Sequence, residues 1–262
     1  MRTIGGLILL LWLGPAFGQD FDSSPQTNLV KLDVRLTSAQ VDTDTLTPSI
    51  VRVRGVTGNV VDTGTGVYLG GGKVMTAFHV VSDSRDVYCE FADGSRIKVS
   101  EYTKDKTGAD QCLLSLEREP PATIPAIQIA PSPQAIGSTV ILAGFDRGER
   151  LRVYDGRLAE SYGQSLSVSH AGEPPSVNGN SGGPVFDTGG RFIAPLWGAS
   201  DGETFMVRPD VSRSFIERLT QRYPAWGQQC VPGYCPPSQP SQPPTSPPGQ
   251  PGPPGPQGPP GE

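Results

Sequence analysis

Histidine is scarce. The 262 residues hold only His79 and His170, which leaves little room for a histidine-built metal site, and no metal or cofactor is expected. Clusters of positive charge are missing as well. Lys and Arg total 21 against 26 Asp and Glu, the net charge is −5, and the basic residues are scattered, which argues against a nucleic-acid surface. Long apolar runs are absent after the first residues. The one such run, Ile4 to Leu13, is too short to span a bilayer in its own right. It follows Arg2 and precedes Ala16-Phe17-Gly18, the order of a secretory signal peptide with small residues before the cut. Residues 1–18 are therefore read as a cleaved signal. No cysteine follows the cut, so no lipid anchor is expected. The mature chain is expected to be secreted or periplasmic, without membrane contact after cleavage.

Helical periodicity is also rare. One convincing helix is predicted, capped by Asp210, with Val211, Phe215, Ile216 and Leu219 on one face and Pro224 beyond its end. The rest of residues 48–223 consists of short alternating runs punctuated by glycine. Val51–Val53, Gly66–Leu69, Lys73–Ala77, Val87–Phe91, Ile97–Val99, Cys112–Leu116, Val140–Leu142, Leu151–Val153, Leu166–Val168, Val185–Phe186, Phe192–Trp197 and Phe205–Val207 are the predicted strands, and Ala92-Asp93-Gly94-Ser95 is a hairpin signal. The pattern specifies an all-β protein with a terminal helix, built as a barrel or sandwich. Residues 19–47 are polar, with only Leu29 to Leu36 hinting at a strand, and are read as an N-terminal extension.

Four cysteines in an exported chain permit two disulfides. Cys230 and Cys235 flank Pro232-Gly233, whose turn preference would bring them together. Cys89 and Cys112 lie on two predicted strands. Alternation turns Cys89 inward, so this second pair is either a bridge or two buried thiols acting as small apolar residues. Beyond Trp226 the composition shifts: residues 230–262 hold 14 of the 28 prolines. Residues 224–248 read as a Pro-rich linker and 249–262 as a collagen-like segment with glycine at 249, 252, 255, 258 and 261. This tail cannot pack a core, and is expected to be disordered and polyproline-like. Its four complete triplets are too few for a triple helix, so no oligomer is expected from it alone.

The chemistry concentrates in three places. Gly179-Asn180-Ser181-Gly182-Gly183-Pro184 offers a serine on a tight glycine turn, Thr76-Ala77-Phe78-His79-Val80 a histidine after an apolar strand, and Ala109-Asp110-Gln111-Cys112 an acid opening another strand. Acyl transfer needs a nucleophile, a base, an orienter for the base and donors for the oxyanion. The order His79, Asp110, Ser181 and these motifs resemble the trypsin-like serine peptidases, nearer to the HtrA/Deg-type branch than to digestive trypsins. The resemblance implies two six-stranded β-barrels of the chymotrypsin-like fold with a C-terminal helix. It implies Ser181 as nucleophile, His79 as base, Asp110 as orienter, and the N–H groups of Gly179 and Ser181 as the oxyanion hole. Asp105, in a Lys-Asp-Lys run that reads as a solvated loop, is the competing acid. His170 lacks the motif context and reads as a packed side chain.

Digestive trypsins carry an aspartate before the nucleophile, which pairs with a newly cut amino terminus. Asn180 cannot do so, and the chain is expected to act without removal of residues 19–47. Pro175 takes the place where trypsins keep an acid at the pocket base, with Leu196, Trp197 and Gly198 lining the site. Preference for apolar or small residues before the cut follows. Nothing after Tyr223 resembles a PDZ domain. The function implied is a secreted serine endopeptidase acting on peptide or protein substrates. The alternatives are a catalytically inactive binding protein on the same fold and the head domain of a collagen-like assembly protein.

Overall fold

The computed structural model describes residues 33–34, 43–170, 178–200 and 203–226. The predicted signal peptide, Pro175, Cys230, Cys235 and the proline-rich tail lie outside the described residues.

Strand β1 (Asp33–Val34) and a single helical turn α1 (Thr43–Leu46) lead into the first barrel. That barrel comprises β2 (Ile50–Thr57), β3 (Val60–Tyr68), β4 (Lys73–Thr76), β5 (Asp86–Glu90), β6 (Arg96–Lys104) and β7 (Cys112–Leu116). They close in the order β2-β3-β4-β7-β6-β5, with β5 returning to β2. The second barrel comprises β8 (Thr139–Asp146), β9 (Arg150–Tyr162), β10 (Ser165–His170), β11 (Pro184–Phe186), β12 (Phe192–Ser200) and β13 (Glu203–Val207). Its order is β9-β10-β13-β12-β11-β8, closed by β8 on β9, while β1 adds a short parallel edge to β9. These are the two six-stranded barrels the resemblance implied, and β1 falls inside the stretch Leu29 to Leu36.

Where a strand sits explains how it reads. Every residue of β7 is buried, because Cys112, Leu114 and Leu116 fill the first barrel while Leu113 faces the other way. Strand β8 does the same in the second barrel: Val140 and Leu142 point inward, and Ile141, Ala143 and Phe145 outward. A strand covered on both faces reads as a near-continuous apolar run, interrupted in β7 only by buried Ser115. Strand β5 has one solvated face, so buried Val87 and Cys89 alternate with half-buried neighbours.

The outward faces of β7 and β8 meet in the largest core cluster. It joins Ile50, Val67, Leu69, Met75 and Leu113 of the first barrel's side to Phe145, Phe186 and Phe192 of the second. Helix α2 (Pro209–Arg222) seals it with Phe215, Ile216 and Leu219. Truncating one of these large side chains to alanine should cost about 2–5 kcal/mol. Asp210 is not the cap of α2. Pro209 occupies the first helical position, where its fixed φ suits the helix, so the cap falls to Arg208. The Asp210 carboxylate instead accepts from the Arg208 guanidinium at 2.6 and 3.0 Å.

The Cys89–Cys112 bridge that the sequence allowed is not formed; both thiols are free and buried. They stand on β5 and β7, which β6 separates, and the Cys112 Sγ is directed to the Ala77 carbonyl at 3.9 Å. Burial pushes both thiols upward, away from the reactive thiolate.

Candidate active site

Antiparallel pairing brings the histidine and the acid together. Thr76, the last residue of β4, lies opposite Cys112, the first of β7. The chain leaving β4 turns at once into a short 3-10 segment, Phe78–Val80, that carries His79. Asp110 arrives two residues before Cys112. The His79 backbone N–H donates to Asp110 Oδ1 at 2.9 Å, and the His79 ring meets Oδ2 through Nδ1 at 2.5 Å. Both carboxylate oxygens therefore bond to His79. Burial works to raise the Asp110 pKa, but the hydrogen bonds from the His79 ring and from the backbone of His79 and Phe78, with attraction to His79, outweigh it and hold it below its ordinary value. An ionised carboxylate only accepts. Nδ1 is thus the donor in this bond.

Asp105 is not a solvated residue. It is 2% exposed and accepts from Gln111 Nε2 at 2.7 Å and from Arg218 at 3.0 Å, while its own N–H donates to the Gln111 carbonyl. It braces the loop that presents Asp110 and takes no part in the pair. His170 lies on β10, bonded through Nε2 to Thr204 Oγ1 at 2.8 Å. Burial lowers its pKa, as expected of a packed neutral ring.

The Ser181 turn comes from the second barrel and presses against the first. A side chain on Gly182 would overlap the Thr76 hydroxyl and the Thr65 carbonyl, with Ala77 N only 2.7 Å away. Glycine is required there both for this close approach and for a φ of +81°. The Ser181 carbonyl accepts from the Thr65 N–H at 2.7 Å, and Gly64 lies between that carbonyl and Val80, the neighbour of His79. The Ser181 turn and the His79 turn therefore share one wall of β3.

Two carbonyls fix the orientation of the turn. The Asn178 carbonyl accepts from Arg147 N–H at 2.7 Å, and the Asn180 carbonyl from Gly183 N–H at 2.8 Å. No cis peptide occurs among the described residues, so the N–H of Gly179 and that of Ser181 point the opposite way from these carbonyls. Neither donates to a backbone carbonyl among the described residues. Arg147 is the one described non-glycine residue with positive φ, at +52°, a strained conformation of the kind that persists only where the surroundings impose it. Its hairpin is held from the first barrel: Arg52 donates to the Glu149 carbonyl at 2.9 Å and lies 4.7 Å over the Phe145 ring.

Of the expected pocket residues, Trp197 packs against both barrel interiors and stacks on Phe205 at 5.6 Å. Gly198 has open space where a side chain would be. Leu196 departs from expectation. Its side chain is buried in the second barrel, and its backbone exchanges hydrogen bonds with Gly182 and Gly183, so it supports the turn. Pro175 is outside the described residues. Thr65 went unnoticed in the sequence, although its place in Thr63-Gly64-Thr65-Gly66, a hydroxyl between glycines on a strand entering the core, was a usable signal. Among the described residues no group of three or more metal-ligating side chains is present.

Known proteins resemble this arrangement. The trypsin-like peptidase domain matches residues 64–194, half of the chain, and that stretch includes His79, Asp110 and Ser181. Serine protease Rv3671c of Mycobacterium tuberculosis is 27% identical over 209 residues, covering 74% of this chain and 51% of that protein. A probable periplasmic serine endoprotease of Rickettsia conorii, DegP-like, is 25% identical over 164 residues, covering 56% of this chain and 32% of its own length. The chain thus spans about half or less of the curated relatives it matches. Among solved structures, the active form of the M. tuberculosis Rv3671c protease superposes with a TM-score of 0.58 at 22% identity, over 76% of this chain and 92% of that one. The serine endoprotease from Yersinia pestis gives 0.57 at 20% identity, over 68% and 64%. At such identities the likeness speaks for the fold. Taken with the match over half its length, it places the chain in the trypsin-like peptidase domain family.

Proposed function

We propose that this protein is an exported serine endopeptidase that cleaves peptide bonds through an acyl-enzyme. Ser181 attacks the carbonyl carbon of the scissile bond while His79 Nε2 takes the hydroxyl proton. The Gly179 and Ser181 N–H groups bind the oxygen that becomes negative. Collapse of the tetrahedral adduct breaks the C–N bond, and His79 returns its proton to the leaving amine. Water, activated by the same nitrogen, then releases the acyl group. Asp110 holds the ring in the Nδ1–H form throughout.

The observation that carries this reading is the grip of Asp110 on His79, through ring and backbone at once, beside a serine turn with two outward N–H groups. Export rests on the signal-peptide reading of residues 1–18 and on the periplasmic relative named above. The layout of residues 19–47, 48–223, 224–248 and 249–262 as extension, peptidase, linker and collagen-like segment belongs to the same proposal. So does a preference for apolar or small residues before the cut.

A serine-directed phosphonate and a mixed peptide library test it together. Ser181 should be labelled, and Ser181→Ala and His79→Ala should each lower the rate to near background in a chain that still folds. Either variant keeping more than about a tenth of the rate would remove the assignment, and efficient cleavage after arginine alone would remove the specificity.

A further inference from the structure

We propose that the Thr65 hydroxyl is the positioning group that sets the oxyanion turn. The inference rests on the reading of Ser181 and Gly179 given above and adds a residue to it. Thr65 lies on β3 and is fully buried. Its hydroxyl donates to the Gly179 carbonyl at 2.6 Å and accepts from the Phe145 N–H at 2.9 Å. A carbonyl can only accept and an amide N–H only donate, so the direction of the hydroxyl proton is settled. Its backbone reaches the same turn, with N–H to the Ser181 carbonyl at 2.7 Å, and its own carbonyl receives the Thr76 hydroxyl at 2.7 Å. One residue of the first barrel therefore holds the carbonyls on both sides of Asn180.

The Gly179 N–H lies in the peptide plane before that residue and the Ser181 N–H in the plane before Ser181. The Gly179–Asn180 plane joins the two and sets one donor relative to the other. Arg147 fixes the plane before Gly179 through the Asn178 carbonyl. Thr65 fixes the plane after it through the Gly179 carbonyl. Gly179 has φ +88° and no side chain, so nothing of its own opposes rotation. Asn180 is neutral and provides no carboxylate with which an amino terminus could order the turn. The Thr65 hydroxyl is a contact that a substitution can remove without touching backbone.

The test uses the full chain, with active sites titrated to completion by a peptidyl phosphonate. Thr65→Val keeps the shape and removes the hydroxyl. Its kcat per titrated site should fall by about 100-fold with KM unchanged, since a small displacement of a catalytic donor has that effect. Affinity for a peptide boronic acid, whose tetrahedral adduct places an oxygen between the two N–H groups, should weaken in parallel. Affinity for the product peptide should stay. Thr65→Ser should return kcat to within about threefold of the unmutated chain. A residue needed only for barrel stability would lower the Tm and the titratable fraction but leave kcat per site intact, and that result overturns the proposal. If the valine chain does not fold, Thr65→Cys, with its far weaker donor, replaces it, and an unchanged kcat is again decisive against. An unmutated chain that fails to react with the phosphonate removes the peptidase reading and this inference with it. A reactive chain in which Thr65→Val is equally active removes the inference alone.

Discussion

The two barrels supply the site in different ways. The first holds its pair by itself: β4 and β7 are neighbours, their register ends at Thr76 opposite Cys112, and His79 and Asp110 are bonded as a direct result. The second supplies a turn that it does not hold alone. The carbonyls of Gly179 and Ser181 are bound by Thr65 of the first barrel, and the hairpin that holds Asn178 is itself tied to Arg52. The His79–Asp110 pair is a local product of one sheet, whereas the Ser181 turn is a product of assembly. Damage to the pair should therefore act on chemistry, and damage between the barrels on geometry.

The sharpest way to break the first half of that comparison is Asp110→Asn. The amide offers an NH2 where the ring needs an acceptor, so His79 can take the wrong tautomer, and kcat/KM should fall on the order of 10³–10⁴-fold with little change in Tm. A loss below about tenfold would mean the ring is positioned by something else. Gly179→Ala probes the second half. Its Cβ would overlap the Phe145 carbonyl and the Gly148 backbone, so the turn must move, and loss of one oxyanion donor costs about 10²–10³ in kcat. A rate like that of the unmutated chain would show that the turn has room the packing denies.

Acid gives a smaller effect. The Asp110 carboxyl is held below its ordinary value in the folded chain, so the unfolded chain binds the proton first. Its contribution to stability is complete above the unfolded value of 3.8 and is lost as pH falls through the folded one. Urea midpoints measured from pH 6 down to pH 2 should therefore drop more steeply for the unmutated protein than for Asp110→Asn. Parallel curves would contradict the shift. The smallest expected signal is at the thiols. Cys89 and Cys112, deep in the first barrel, should not react with a thiol reagent until the protein is unfolded, and should then react together. Rapid labelling of the native chain would place them nearer the surface than the barrel allows.

Much of this was readable in the residues, because the signals were local. Period-two alternation at Val87 and Cys89 located one strand, the apolar run Cys112–Leu116, interrupted by Ser115, another, and the glycines around Ser181 the turn. What failed to show was set by distant partners. Asp105 looked solvated between two lysines because Arg218, which helps to bury it, is 113 residues away. Thr65 looked like one strand residue among others because its hydroxyl's partners are 114 and 80 residues off. Leu196 was expected at the pocket, and its side chain lies in the second barrel's core among residues distant in sequence.

Trp226 ties the end of the described chain back to its beginning: it is buried, and its Nε1–H donates to the Leu69 carbonyl at 3.1 Å just beyond β3. This sets a clock on synthesis. The first barrel is complete in sequence at Leu116, about 110 residues before Trp226. At roughly 5–20 residues per second that is a wait of about 5–20 s. Through that interval Ile50, Val67, Leu69, Met75 and Leu113 have no second barrel and no α2 to cover them. A nascent chain of this protein therefore exposes an adhesive face for seconds before it can hide it, and holding factors have that window in which to act.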